Sequence, residues 1–299
     1  MIMRRLFTLA ILLNLILMVK PLSACDQCGC SSGATFNNLS AFATYNFIML
    51  RLGYSSMQGY GDVGSFALNT NADIVGGYSL NTRLHISAFL PVKYNYFEHD
   101  QNSHTTLGIG DAGFMANYIL YSNSDKMMKR VSSTLSIRGG IELPTGNFNE
   151  NFRADDVPAA ISTGSGSFDF FWGLRYTIRS GNNAITADYI GKYNTENAVA
   201  YQFGFQQSAN VYVTKSFKKT NAAWLPYAGV SGEFVSGDTY HDNFMTGTKG
   251  NNVSAMAGLE YARTKWVFGA HAEFPVISAY DTDINLHPKA SLRMVHLFN

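Results

Sequence analysis

Residues 166–180 (GSFDFFWGLRYTIRS) constrain the fold more than any other stretch of this chain. Phe168, Phe170, Trp172, Leu174, Tyr176 and Ile178 fall on every second position. Ser167, Asp169, Gly173, Arg175, Thr177 and Arg179 lie between them, with Phe171 alone out of pattern. A period of two places the bulky apolar groups on one face of a β-strand and the charged groups on the other. One face needs an apolar medium and the other needs water or ionic partners.

The same design recurs. Over 131–143, Val131, Leu135, Ile137, Ile141 and Leu143 share a face with Ser133 and Gly139, opposite Ser132, Thr134, Ser136, Arg138 and Glu142. Over 107–121, Phe114, Ala116, Tyr118 and Leu120 oppose Asp111, Met115 and Asn117. Over 265–275, Trp266, Phe268, Ala270, Ala272 and Phe274 oppose Lys265, His271 and Glu273. A charge on a lipid-facing strand position near the bilayer midplane costs about 2–4 kcal/mol. Charge-free outer rows are therefore what a bilayer would enforce. Segments 199–214 and 287–298 are less regular: Gln207 and His296 interrupt the apolar rows and are expected near the membrane borders.

Composition fits this reading. Charged residues make up 14% of the chain, aromatics another 14%, and there are 27 glycines. Soluble domains carry about 25% charge. Mean hydropathy is −0.05, which excludes a helical membrane protein. The start reads as an export signal: Arg4 and Arg5 precede an apolar run over 6–19, broken only by Thr8 and Asn14, then Lys20, Pro21 and Leu22-Ser23-Ala24-Cys25. That run is too short to span a bilayer as a helix, which takes about 20 residues. The expected organisation is a signal peptide over 1–24, a cysteine-containing leader over 25–42, and a barrel over 43–299. Removing Arg4, Arg5 and Lys20 leaves 19 of 22 basic side chains against 21 acidic ones, a net charge of −2. This balance gives no reason to expect a nucleic-acid partner.

Twelve strands are expected, near 43–54, 70–80, 83–97, 107–121, 131–143, 166–179, 184–194, 199–214, 224–236, 252–263, 265–275 and 287–298. Links after odd strands are mostly long (55–69, 98–106, 144–165, 237–251, 276–286), and those after even strands mostly shorter. Two exceptions stand out: 195–198 is short and 122–130 is not. Long outside loops alternating with short periplasmic turns are a feature of outer-membrane barrels, and an even strand count puts both termini on the periplasmic side. The fold class is thus all-β, a transmembrane antiparallel up-and-down barrel in the outer membrane of a Gram-negative bacterium. Aromatics near strand ends (Tyr94, Tyr96, Phe168, Phe170, Trp224, Tyr261, Trp266) fit interfacial girdles.

Three groups of residues are candidates for chemistry. Cys25, Cys28 and Cys30 (CDQCGC) are the chain's only cysteines. Leu-Ser-Ala-Cys is a lipobox, which would acylate Cys25 and anchor the N-terminus. Alternatively, the three thiols would hold a soft ion such as Cu(I) or Zn(II), the only cofactor the sequence hints at. The third reading is a leader with a Cys28–Cys30 disulfide or none. The second group is the expected lumen lining. Its basic members are Arg51, Arg83, His85, Lys93, Arg138, Arg175, Arg179, Lys192, His271 and Arg293. Its acidic members are Asp111, Glu142, Asp169, Asp188, Glu233, Glu260 and Glu273. These either pair across the interior and fill it or set the selectivity of a pore. Third, residues 108–113 spell GxGxxG, but the following residues alternate like a strand, where a nucleotide site needs a helix. The small residues there are read as serving a bend or close packing. Neither GxSxG nor HExxH occurs, and His85 and His271 are read as hydrogen-bonded bystanders, so no enzyme activity is expected.

Leu107-Gly108-Ile109-Gly110-Asp111, Gly140-Ile141-Glu142-Leu143-Pro144-Thr145-Gly146 and Thr163-Gly164-Ser165-Gly166-Ser167-Phe168-Asp169 resemble three blocks of an outer-membrane barrel family labelled "putative meta-pathway of phenol degradation". The likeness spans roughly 45–298. It implies a single-chain barrel with a loosely defined role in the passage of small solutes, apolar ones among them, and it carries no established catalytic residues to transfer. The chain departs from common barrels in ending Phe298-Asn299, and its cysteine leader resembles Cys-x-x-Cys-Gly-Cys starts of Bacteroidetes-like exported barrels. Expected partners are outer-membrane lipid, the barrel-assembly machinery and a small solute, with the protein a monomer. The competing reading is a non-transporting adhesin or scaffold acting through 55–69, 144–165 and 237–251.

Overall fold

The computed structural model describes residues 45–59, 65–100, 102–123, 131–153, 157–280 and 283–298. The export signal and Cys25, Cys28 and Cys30 lie outside them. The wall begins with β1 (Asn46–Gln58), β2 (Phe66–Ser79) and β3 (Leu84–His99). The fourth strand, β4, comes in two pieces, Asn102–Ile109 and Gly113–Ser122. Then follow β5 (Val131–Glu142), β6 (Asp169–Ser180), β7 (Asn183–Asn194) and β8 (Gln206–Lys215). The wall ends with β9 (Ala222–Val235), β10 (Gly250–Arg263), β11 (Trp266–Tyr280) and β12 (Lys289–Phe298).

Each strand pairs antiparallel with the next, and β12 returns to β1 from Asn46↔Phe298 to Tyr54↔Ala290. The sheet therefore closes after twelve strands and has no lateral edge in its paired core, as a lipid-embedded sheet requires. Both described termini sit at the end bearing the tight turns at 181–182 and 264–265. The link that looked short from sequence, 195–198, runs from 195 to 205 in the wall. Residues Tyr201–Gln202 leave the barrel and pair with Thr239–Tyr240 in a small separate sheet. One of the two exceptions to the sorting of loops by end is thereby removed.

Alternation holds around the wall. Ile48, Leu50, Leu52 and Tyr54 are exposed on β1 while Met49 and Arg51 are buried. Phe170, Trp172, Leu174 and Tyr176 are exposed on β6 while Asp169, Phe171 and Arg175 are buried. Phe171, out of pattern in sequence, points inward between Asp169 and Arg175 and packs with buried apolar side chains of other strands. Trp224, Tyr261 and Trp266 gather at the tight-turn end. Trp224 and Tyr261 ring centroids are 4.4 Å apart, and Trp266 lies 4.5 Å from His296. His296 thus sits at the border, shielded by aromatic rings. Gln207, near the other end, accepts a hydrogen bond from Tyr189 Oη at 2.8 Å.

Bulky inward side chains lie flat against the wall. Directly across from several of them stands a glycine: Phe47↔Gly77, Phe89↔Gly113, Phe171↔Gly140, Tyr212↔Gly229, Tyr227↔Gly258 and Arg293↔Gly269. A Cβ on Gly140 would meet Phe171 Cζ and the Phe114 carbonyl oxygen, both at 2.2 Å. Gly140→Ala is therefore expected to destabilise the barrel by about 3 kcal/mol through overpacking against backbone, read as a lower urea midpoint in tryptophan fluorescence.

The break in β4 has a local cause. Gly110 N donates to Pro91 O at 2.8 Å, so the carbonyl of Pro91 faces residues 110–112. In an antiparallel ladder one residue's N–H and C=O point to the same neighbour. The donor that proline lacks is therefore missing where β4 is interrupted. Above the break, Asn102–Ile109 pairs only with β3, and β5 has already ended at Glu142.

Candidate functional site: the lumen and its cap

Eight buried apolar side chains form one cluster inside the barrel: Phe47, Met49, Val75, Phe89, Met115, Phe171, Val267 and Val295. It runs diagonally, from Val267 and Val295 at the periplasmic ends of β11 and β12 to Phe171 near the extracellular end of β6.

Much of the rest of the lumen is charged, and the charges pair with one another. Arg51 Nε lies 2.8 Å from Asp73 Oδ2. Asp188 bridges Arg138 and Arg175, the latter at 2.7 Å. Lys192 Nζ lies between Glu142 Oε2 at 2.6 Å and Asp169 Oδ2 at 3.2 Å. Arg293 pairs with Glu260, and Lys289 with Glu233 at 2.8 Å. His271 links the Tyr227 hydroxyl and Glu273, each at 2.9 Å. Among the sequence-predicted lumen residues, twelve thus meet in these pairs. His85 also faces inward, with Nδ1 2.7 Å from Ser79 Oγ. Arg83 departs from expectation: it is exposed in the turn between β2 and β3, where its backbone N–H donates to Asn81 Oδ1. Arg179, next to last in β6, is exposed too. Arg83 lies one residue before β3 begins, and Arg179 lies within β6 but at its tight-turn end, where the inner face opens to solvent.

Asp111 has a different role from the other carboxylates. It accepts the Gly146 N–H at 3.0 Å and the Ser165 N–H at 2.6 Å. Thr145 Oγ1 donates to Gly110 O at 3.0 Å and accepts from Ala112 N at 2.8 Å. Gly146 and Gly164 touch backbone to backbone: a Cβ on either would lie 2.6 Å from the other's Cα. The three blocks quoted above thus converge in one knot, which ties both ends of loop 143–168 to the break in β4. The glycines of the GxGxxG run serve close packing, since a Cβ on Gly110 would meet Pro91 Cγ at 2.9 Å.

From this knot the loop folds over the mouth. Val157 and Ile161 pack with Met57, Ala67, Phe97, Ile284 and Leu286. Asn95 Nδ2 and Thr106 Oγ1 both donate to Ile161 O, at 2.8 and 2.6 Å. On the other side Phe148, Phe152, Ala159 and Ala160 pack with Tyr201 and Phe203. A second buried carboxylate, Asp238, braces this side: it accepts from Tyr201 Oη at 2.5 Å and Gly204 N at 2.7 Å. The sequence predicts outside loops here. The signal for a cap is the run of buried-type residues (Phe148, Phe152, Val157, Ile161) inside a stretch otherwise built like a loop.

A closed twelve-stranded sheet, an apolar outer surface edged by aromatics and a charged, paired interior define an outer-membrane β-barrel. No family model matches the chain, and no curated protein does. Among solved structures it is similar to the COG4313 outer membrane channel from Pseudomonas putida F1, with a TM-score of 0.64 and 13% identity over 85% of this chain and 96% of that one. It is also similar to the β domain of the Bordetella autotransporter BrkA, with a TM-score of 0.51 and 14% identity over 85% of this chain and 100% of that one. At such identities the likeness establishes the fold.

Proposed function

We propose that this barrel is a passive channel for a small, largely apolar solute, with loop 143–168 as the cap on its extracellular mouth. The observation that carries this reading is the apolar diagonal from Phe171 to Val267 in a lumen whose ion pairs satisfy one another. A pore for charged solutes needs charges left over to attract them. Here the surface left for a solute is the apolar stripe. The name of the Pseudomonas putida protein, a channel, supports the same reading. Convergence of the three sequence blocks on one knot supports membership of the phenol meta-pathway barrel family.

The test is swelling of proteoliposomes carrying the purified barrel, as it stands and with 148–161 replaced by a short Gly-Ser linker. The uncapped variant is expected to admit uncharged solutes roughly ten times faster. An adhesin acting through its loops would lose binding on the same deletion and gain no permeability. A folded, uncapped barrel that admits nothing across a panel of apolar and polar solutes would end the channel reading.

A further inference from the structure

In a closed ring of twelve strands, strands six apart face each other across the lumen. β2, β3 and β4 carry Val75, Phe89 and Met115 of the apolar stripe. Opposite them stand β8, β9 and β10, whose inner row is uncharged and polar at one level: Asn210↔Ser231 and Ser231↔Ser254 are direct cross-strand partners. Asn210, Ser231 and Ser254 are 2%, 3% and 1% exposed. Asn210 Nδ2 donates to Ser208 Oγ at 3.3 Å, but its carbonyl oxygen is buried with no hydrogen-bond partner. A buried acceptor left unmatched costs about 1–3 kcal/mol, so such atoms point to something that completes them.

We propose that Asn210, with Ser231 and Ser254 beside it, is a recognition subsite for one hydrogen-bond donor, a hydroxyl or amide N–H, on a small neutral solute whose apolar body lies on the facing stripe. The inference rests on the channel reading above and narrows its solute class. The orphan oxygen accepts, so it selects for a donor. Ser231 and Ser254 bear no charge, and Asp188, the cross-strand partner of Asn210 on its other side, is already held by Arg138 and Arg175, so the row does not ask the solute for a charge. The lumenal ion pairs flank this row and confine the polar contact to one level of the lumen.

Two probes differing in one donor test this: benzyl alcohol and benzyl methyl ether, titrated into the purified full-length barrel in detergent and followed by saturation-transfer NMR. The alcohol is expected to bind about fivefold more tightly than the ether, the worth of one net hydrogen bond. Asn210→Leu and Asn210→Ala, each checked for folding by heat-modifiable electrophoretic mobility, are both expected to bring the ratio close to one. Equal affinities in the unmodified barrel would assign the orphan oxygen to a water and overturn the proposal, as would an unchanged ratio in either folded variant. Swelling reports on passage independently. Flux without discrimination sinks the subsite alone, whereas discrimination without flux sinks the channel.

Discussion

Replacing Asp111 by alanine is expected to open the channel without unfolding it. The carboxylate holds both stems of loop 143–168 through the Gly146 and Ser165 N–H groups. Hydrogen bonds to a charged group contribute about 1.5–3 kcal/mol each. The cap buries its own apolar residues at the mouth, Val157 and Ile161 on one side and Phe148 and Phe152 on the other. It is therefore held by packing as well as by the knot, and losing Asp111 shifts its equilibrium rather than abolishing it. In planar bilayers, Asp111→Ala is expected to spend roughly ten times longer in a high-conductance state, while its heat-modifiable mobility stays that of a folded barrel. Asp111→Asn keeps one acceptor oxygen and is expected to fall between the two. An Asp111→Ala barrel with unaltered conductance would mean that the knot does not govern the cap.

Replacing Asp188 by leucine should have the largest effect on stability. Asp188 faces both Arg138 and Arg175 inside the barrel, and all three are buried. Removing one partner of a buried ion pair costs about 3–5 kcal/mol because the remaining charge is left uncompensated. Here two guanidinium groups would be left. A large drop in the urea midpoint of unfolding, followed by tryptophan fluorescence, is the expected result. The triple variant Asp188→Leu, Arg138→Leu, Arg175→Leu removes the charges together and should recover much of the loss, since apolar replacements of buried pairs are often neutral or stabilising. A single variant as stable as the parent would show that water reaches these groups freely.

The wall was legible in the sequence and the cap was not, for a physical reason. A lipid-facing strand has one environment on each face, so every second residue reports it directly. Phe168 to Ile178 needed no partner to be read. Strand register is a different matter. Phe171 looks like an irregularity in sequence, but Gly140 stands opposite it, a partner thirty-one positions away. The break in β4 depends on Pro91, which lies in the neighbouring strand. Asp111 read as one more inward charge, because what makes it a clamp is the return of residues 146 and 165 to the same point. The lumenal charges were legible as a set, but their pairing was not: Lys192 on β7 finds Glu142 on β5, fifty residues away and across the intervening strand β6.

The central claim is that hydrocarbon covers the outward rows while the inward rows face the lumen. Nitroxide labels at adjacent positions test it most directly, at Ser136 and Ile137 on β5 and at Leu174 and Arg175 on β6, in the barrel reconstituted into liposomes. Labels at Ile137 and Leu174 should relax strongly with lipid-soluble oxygen and hardly at all with a water-soluble nickel chelate. Labels at Ser136 and Arg175 should be immobilised and little affected by oxygen. Equal responses at neighbouring positions, or chelate access at Ile137 and Leu174, would contradict the account.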